Sequence, residues 1–209
     1  MRIPQGKVTN ALVIATSAIW LALTLGGYED LAAGAGGFFS ARLSGALVLE
    51  GALPAWLTPL SAAFLHADIF HLAFNMLMLF YCGRFVEAAI GPTGLGVLYV
   101  IGAYASAAAE YLWDPVNVVP MIGASGAISA IVGCYAMLFG QNRIRPLGPI
   151  PARIIQIVWL AAAWIVIQGL IGIATWGSMT RIAIVAHIGG FIPGLLLARP
   201  LLLWRYRKA

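Results

Sequence analysis

The chain has 209 residues, 62% of them hydrophobic and only 9% charged, with a mean hydropathy of +0.94. This composition excludes a soluble domain of ordinary type and describes a polytopic membrane protein. The net charge of +5 does not point to nucleic acid, because the basic residues sort by loop: with a cytoplasmic N-terminus, Arg2, Lys7, Arg84, Arg143, Arg145, Arg153, Arg199, Arg205, Arg207 and Lys208 fall inside, and only Arg42 and Arg181 outside.

Six apolar stretches, each close to the roughly 20 residues a helix needs to cross a bilayer, predict one all-α domain over residues 1–209. The first covers about 10–27 and exceeds the usual apolar core of a secretory signal, so it reads as a retained helix. Residues 28–60 contain GAGG, Phe38, Phe39 and Trp56 and are too apolar for a solvated loop. Backbone groups in lipid need partners, so this segment is expected at the interface, as short helical pieces or a partly inserted loop against the bundle.

The second stretch, about 65–83, contains HADIFHLAFN, with His66 at its start. His71 and Asn75 are four apart, share a helix face and can address one common atom. An interhelical polar clamp is the structural alternative for such a pair.

The third stretch covers about 93–113 and the fourth about 122–140, opening with MIGASG. Gly126, Ala130 and Cys134 recur at spacing four on the fourth. The fifth, about 151–175, carries Gln156 and Gln168, and the loop TWGSMTR at 175–181 follows it as a candidate gate beside the first loop. The sixth, about 181–203, carries His187 and a second small-residue row, Ala186, Gly190 and Gly194. Small-residue faces let helices approach closely in lipid, so helices four and six are expected to touch and to bring Ser125 within reach of His187. Cys82 and Cys134 lie at different depths and are expected to be free.

Polar side chains at membrane depth are costly, which makes these few candidates for function. A serine is a poor nucleophile unless a base takes its proton, and His187 is the simplest base at hand. Attack on a carbonyl creates an oxyanion, for which His71, Asn75 and the backbone N–H of Ser125 could be donors. No Asp or Glu at membrane depth offers an obvious third member, so the expected constellation is a dyad, without metal or cofactor.

These residues resemble the rhomboid intramembrane serine proteases. GASG at 123–126 matches the family's G-x-S-G, HADIFHLAFN at 66–75 its H-x-x-x-x-H-x-x-x-N, and AHIGGFIPG at 186–194 its A-H-x-x-G-x-x-x-G. GRFVEAAIG at 83–91, between helices two and three, is similar as well, so the resemblance extends from about Trp56 to Gly194. It implies a six-helix bundle whose fourth helix starts below the surface in a water-filled cavity. It also implies Ser125 as nucleophile, His187 as general base, and His71 and Asn75 as oxyanion-stabilising residues. Gly123 and Gly126 would let the chain turn into a helix at that depth, while Gly190 and Gly194 would be close-packing positions. The implied partners are transmembrane protein substrates, cut near the outer face, and the lipid bilayer.

Two positions depart from the family pattern: Leu57 follows Trp56 where the family often has Arg, and Ser129 stands four residues after Ser125 where Tyr or Phe is common. A rhomboid-like binder that does not cut and a small transporter or channel are the rival readings. The chain's size suggests a prokaryotic inner membrane, with both termini cytoplasmic.

Overall fold

The computed structural model describes residues 3–140, 145–174 and 184–207. The topological charges Arg2, Arg143, Arg181 and Lys208, and the candidate gate at 175–181, lie outside the described residues.

The first helix, α1 (Lys7–Gly26), has no capping side chain of its own. The cap comes from far along the chain: the Glu87 carboxylate accepts from Val8 N–H at 3.1 Å, Thr9 N–H at 2.9 Å and Thr9 Oγ1 at 2.8 Å. The first N–H groups of a helix have no partner within it, and a carboxylate there both satisfies them and complements the helix dipole. Arg84, one turn earlier, grips Asn10 Oδ1 through Nε at 3.1 Å and Nη2 at 2.7 Å.

Residues 28–62 fold into three short helices, α2 (Glu29–Gly36), α3 (Ser40–Leu43) and α4 (Thr58–Ala62). Phe38 is buried with Ala62 and Ala107, Ser61 Oγ donates to Gly36 O at 2.6 Å, and Tyr104 Oη donates to Trp56 O at 3.0 Å. Arg42 donates through Nη2 to Leu53 O at 2.7 Å. An arginine therefore does tie this segment together, from a position other than 57.

Next come α5 (Ile69–Met78), a π-helical turn (Leu79–Gly83) and α6 (Arg84–Trp113). The helix expected from 65 begins at Ile69, because Asp68 caps it: one carboxylate oxygen accepts from Phe70 N–H and His71 N–H, each at 2.8 Å. From Ile69 to Trp113 the chain is helical and apolar for 45 residues. At about 1.5 Å per residue this is roughly 67 Å, more than twice a bilayer core of about 30 Å. The run is broken at Gly91, where φ is 81° and ψ 164°, a backbone region that L side chains rarely adopt, and Pro92 follows with no N–H to satisfy. The result is two crossings, 69–90 and 92–113, joined without a loop. The Arg205 guanidinium covers the end of the first by donating to Glu87 O at 3.2 Å and to Ala88 O.

The central helix, α7 (Ser125–Phe139), starts three residues later than expected. Residues 120–123 are held in non-helical backbone: Met121 pairs with Phe38 through two hydrogen bonds of 2.8 and 3.1 Å, and Gly123 N–H donates to Ala62 O at 2.9 Å. With 15 residues, α7 is only about 22 Å long and cannot cross a full bilayer core. α8 (Ala152–Ala174) and α9 (Ile184–Arg205) complete the set. Together with α1 and the two crossings around Gly91, they make an all-helical polytopic bundle, in which α6, α7 and α9 form the centre.

The centre packs through bare backbone. A Cβ at Gly190 would fall on the Gly126 carbonyl oxygen, one at Gly194 on the Ala130 carbonyl oxygen, and one at Gly126 on the Ser106 hydroxyl. Cys82 and Cys134 are buried and free. Large apolar side chains such as Phe70, Phe74, Leu77, Val158 and Val166 point outward, as a lipid-facing surface requires.

Gly194→Val is expected to push α9 off α7 and lower stability in detergent by ~1–3 kcal/mol or more, read as the thermal unfolding midpoint. Gly96→Ala, where an added methyl meets nothing within 4 Å, should leave that midpoint unchanged or raise it slightly.

Candidate active site

Ser125 is the first residue of α7, preceded by Ala124. It lies in the turn whose N–H groups have no acceptor within the helix. The close contact of α7 and α9 at Gly126 and Gly190 sets the distance between their neighbours. His187, three residues before Gly190, is on the same face of α9. Its Nε2 is 2.8 Å from Ser125 Oγ, and its Nδ1 is 2.9 Å from Gln168 Oε1 on α8. Trp164, one turn before Gln168, donates its indole N–H to the His187 carbonyl at 3.3 Å and stacks on Phe191, with centroids 4.7 Å apart and planes 6° apart. Ser129 Oγ donates to Ser125 O at 2.8 Å and is thereby turned back onto its own helix.

Opposite the serine stands His71. Gly123 has φ 114°, and a Cβ there would lie 2.7 Å from both Cε1 and Nε2 of the His71 ring and 3.8 Å from Ser125 Oγ. The His71 ring edge thus lies against the bare face of Gly123, closer than a Cβ there would allow, with Ser125 Oγ beside it. Asn75, one turn along and 3% exposed, spends an amide N–H on the His71 carbonyl at 2.8 Å, so it supports the backbone of His71.

His66, which spacing alone left without a role, is part of the same cluster. It is 4% exposed, its ring meets His71 edge-on at 4.9 Å, and its Nε2 accepts from Ala124 N–H at 3.4 Å. It therefore holds the residue just ahead of the nucleophile position. Burial, with the neighbouring His71 adding to it, lowers its pKa to about 4, which keeps the accepting lone pair available. The sequence signals for His66 were its polarity at depth and its place in the HADIFHLAFN motif. For Gln168 it was polarity at depth.

This arrangement can move a proton from a hydroxyl to an imidazole, leaving an alkoxide at the N-terminal turn of α7, near the His71 ring. Among the described residues, no three His, Cys, Asp or Glu side chains come together as a metal site.

Comparison with known proteins gives a consistent result. Residues 54–204 match the Rhomboid domain family. The chain is similar to the mitochondrial Rhomboid protein 1 of Saccharomyces cerevisiae, with 32% identity over 144 residues, covering 66% of this chain and 39% of the yeast protein. It is also similar to Rhomboid protease GlpG of Yersinia pestis and of Yersinia pseudotuberculosis, with 31% identity over 140 residues, covering 66% of this chain and 45% of each relative. The chain thus spans less than half the length of these relatives.

A histidine whose pKa is lowered binds its proton in the unfolded chain before it does so in the fold. The stability that neutral His66 contributes should therefore be lost as pH drops from about 6.5 to about 4. The His66 ring, assigned by comparison with His66→Phe, should titrate near pH 4 by NMR. A midpoint near 6.5 would contradict its buried, accepting state.

Proposed function

This chain belongs to the rhomboid family, and on that premise we propose that it is an intramembrane serine endopeptidase that works through a Ser125–His187 dyad. The observation that carries the reading is the 2.8 Å contact between Ser125 Oγ and His187 Nε2. His187 takes the hydroxyl proton as Oγ bonds to the carbonyl carbon of the scissile peptide. The carbonyl oxygen becomes an oxyanion stabilised by His71, by Asn75, whose amide has a second N–H beyond the one given to the His71 carbonyl, and by the first-turn N–H groups of α7. When the intermediate collapses, the C–N bond breaks and the imidazolium gives its proton to the departing amine, leaving an acyl ester on Ser125. Water, deprotonated by His187, cleaves the ester, and the proton returns to Ser125 Oγ.

The substrates are transmembrane segments of other membrane proteins, cut near the outer face. An intact helix buries its peptide bonds in its own hydrogen bonds, so segments with Gly, Pro or other helix-weakening residues are favoured. The 15 residues of α7 are too few to span the bilayer core, which supports a Ser125 that lies below the membrane surface. The distribution of Lys and Arg supports an orientation with cytoplasmic termini.

Ser125→Ala and His187→Ala should each abolish labelling by a fluorophosphonate. They should also lower cleavage of a reporter transmembrane segment in proteoliposomes by at least about 10³-fold, with unfolding midpoints near that of the wild type. Labelling or cleavage that survives in Ser125→Ala would remove the assignment.

A further inference from the structure

We propose that Gln168 is the positioning residue of His187: its side-chain carbonyl accepts the Nδ1–H, fixes the tautomer whose Nε2 lone pair faces Ser125, and holds the imidazolium once Ser125 has given up its proton. This rests on the dyad reading above.

A neutral imidazole carries its proton on either nitrogen, and only one of the two forms can act as a base toward Ser125. With the proton on Nε2, the serine would face a donor and no proton could leave it. The group at Nδ1 decides between the forms. That group is Gln168 Oε1, at 2.9 Å and 3% exposed, and a carbonyl oxygen can only accept. On α7, the Ser129 hydroxyl is turned back to donate to the Ser125 carbonyl. Once the ring is protonated both nitrogens are donors, and an acceptor at Nδ1 then suits the charged state better than the neutral one.

The position is also fixed mechanically. Trp164 and Phe191, each four residues from the pair, clamp α8 to α9 through the stacked rings and the indole bond to His187 O. Gln168 therefore meets His187 in one register. An amide achieves this without placing a formal charge at membrane depth, where a carboxylate would carry a desolvation cost. Among the described residues, His71 on α5 is the other titratable group facing His187.

The test compares Gln168→Leu, which keeps the bulk and removes the acceptor, with Gln168→Glu, which restores it. Fluorophosphonate labelling and kcat should fall roughly 10- to 100-fold in the leucine variant, with KM unchanged. The glutamate variant should recover most of the loss, and the acid limb of its rate profile should move to higher pH. Imidazole ¹⁵N shifts give a readout independent of activity, since the chain has only three histidines. Wild-type His187 should carry its proton on Nδ1, and the leucine variant should show a mixture.

Wild-type labelling and an unchanged tautomer in Gln168→Leu, with Ser125→Ala unlabelled, would overturn the role of Gln168 and leave the dyad standing. Labelling of Ser125→Ala would instead overturn the dyad. If Gln168→Leu fails to fold, the wild-type ¹⁵N shifts decide: a proton on Nε2 overturns the proposal.

Discussion

Everything at the site depends on two helices touching backbone to backbone. α7 and α9 meet where glycine leaves the main chain bare, at Gly126 against Gly190 and at Gly194 against the Ala130 carbonyl. Lipid tails are as apolar as the side chains they would replace, so the hydrophobic effect does little to draw these helices together, and close dispersion contact has to do so. The same approach sets the spacing of Ser125 and His187. A methyl group in that seam would do more than cost stability. It would change a hydrogen-bond distance, on which proton transfer depends far more steeply than packing does. Fold and chemistry are thus one geometric condition.

Around that seam the polar groups are arranged so that few are left over. His66 accepts from Ala124, Asn75 donates to the carbonyl of His71, Ser129 donates to the carbonyl of Ser125, and Trp164 donates to that of His187. Four side chains therefore tie the backbone at or beside three positions where chemistry is proposed, Ser125, His71 and His187. In a medium with little water, such ties are the available means of holding a loop-like segment such as 120–124 in non-helical form, together with the Phe38–Met121 pairing.

Much of this was legible in the sequence, and the reason differs from place to place. The small-residue rows of α7 and α9 announce their contact, because spacing of four on an apolar helix has few other uses. Spacing could not show where helices begin against hydropathy: Asp68 delays α5 and the Phe38 pairing delays α7, both through contacts whose effect the apolar pattern hides. Nor could it show that 83–91 is helix up to its last residue, since only the φ of Gly91 breaks a run that is apolar on both sides. Gln168 stayed without a role for a plainer reason. Its meaning lies in one contact with a residue 19 positions away, and no periodic pattern encodes which face of α8 meets His187.

The cap on α1 has a consequence for the order in which the molecule is made. Val8 and Thr9 receive their carboxylate from a residue 79 and 78 positions further on. A ribosome delivers α1 to the membrane long before Glu87 exists, so the newborn helix begins its life with its first turn open. The end of the second crossing closes it, bringing Arg84 to Asn10 in the same motion. The first helix is therefore latched by a later one, through the carboxylate of Glu87.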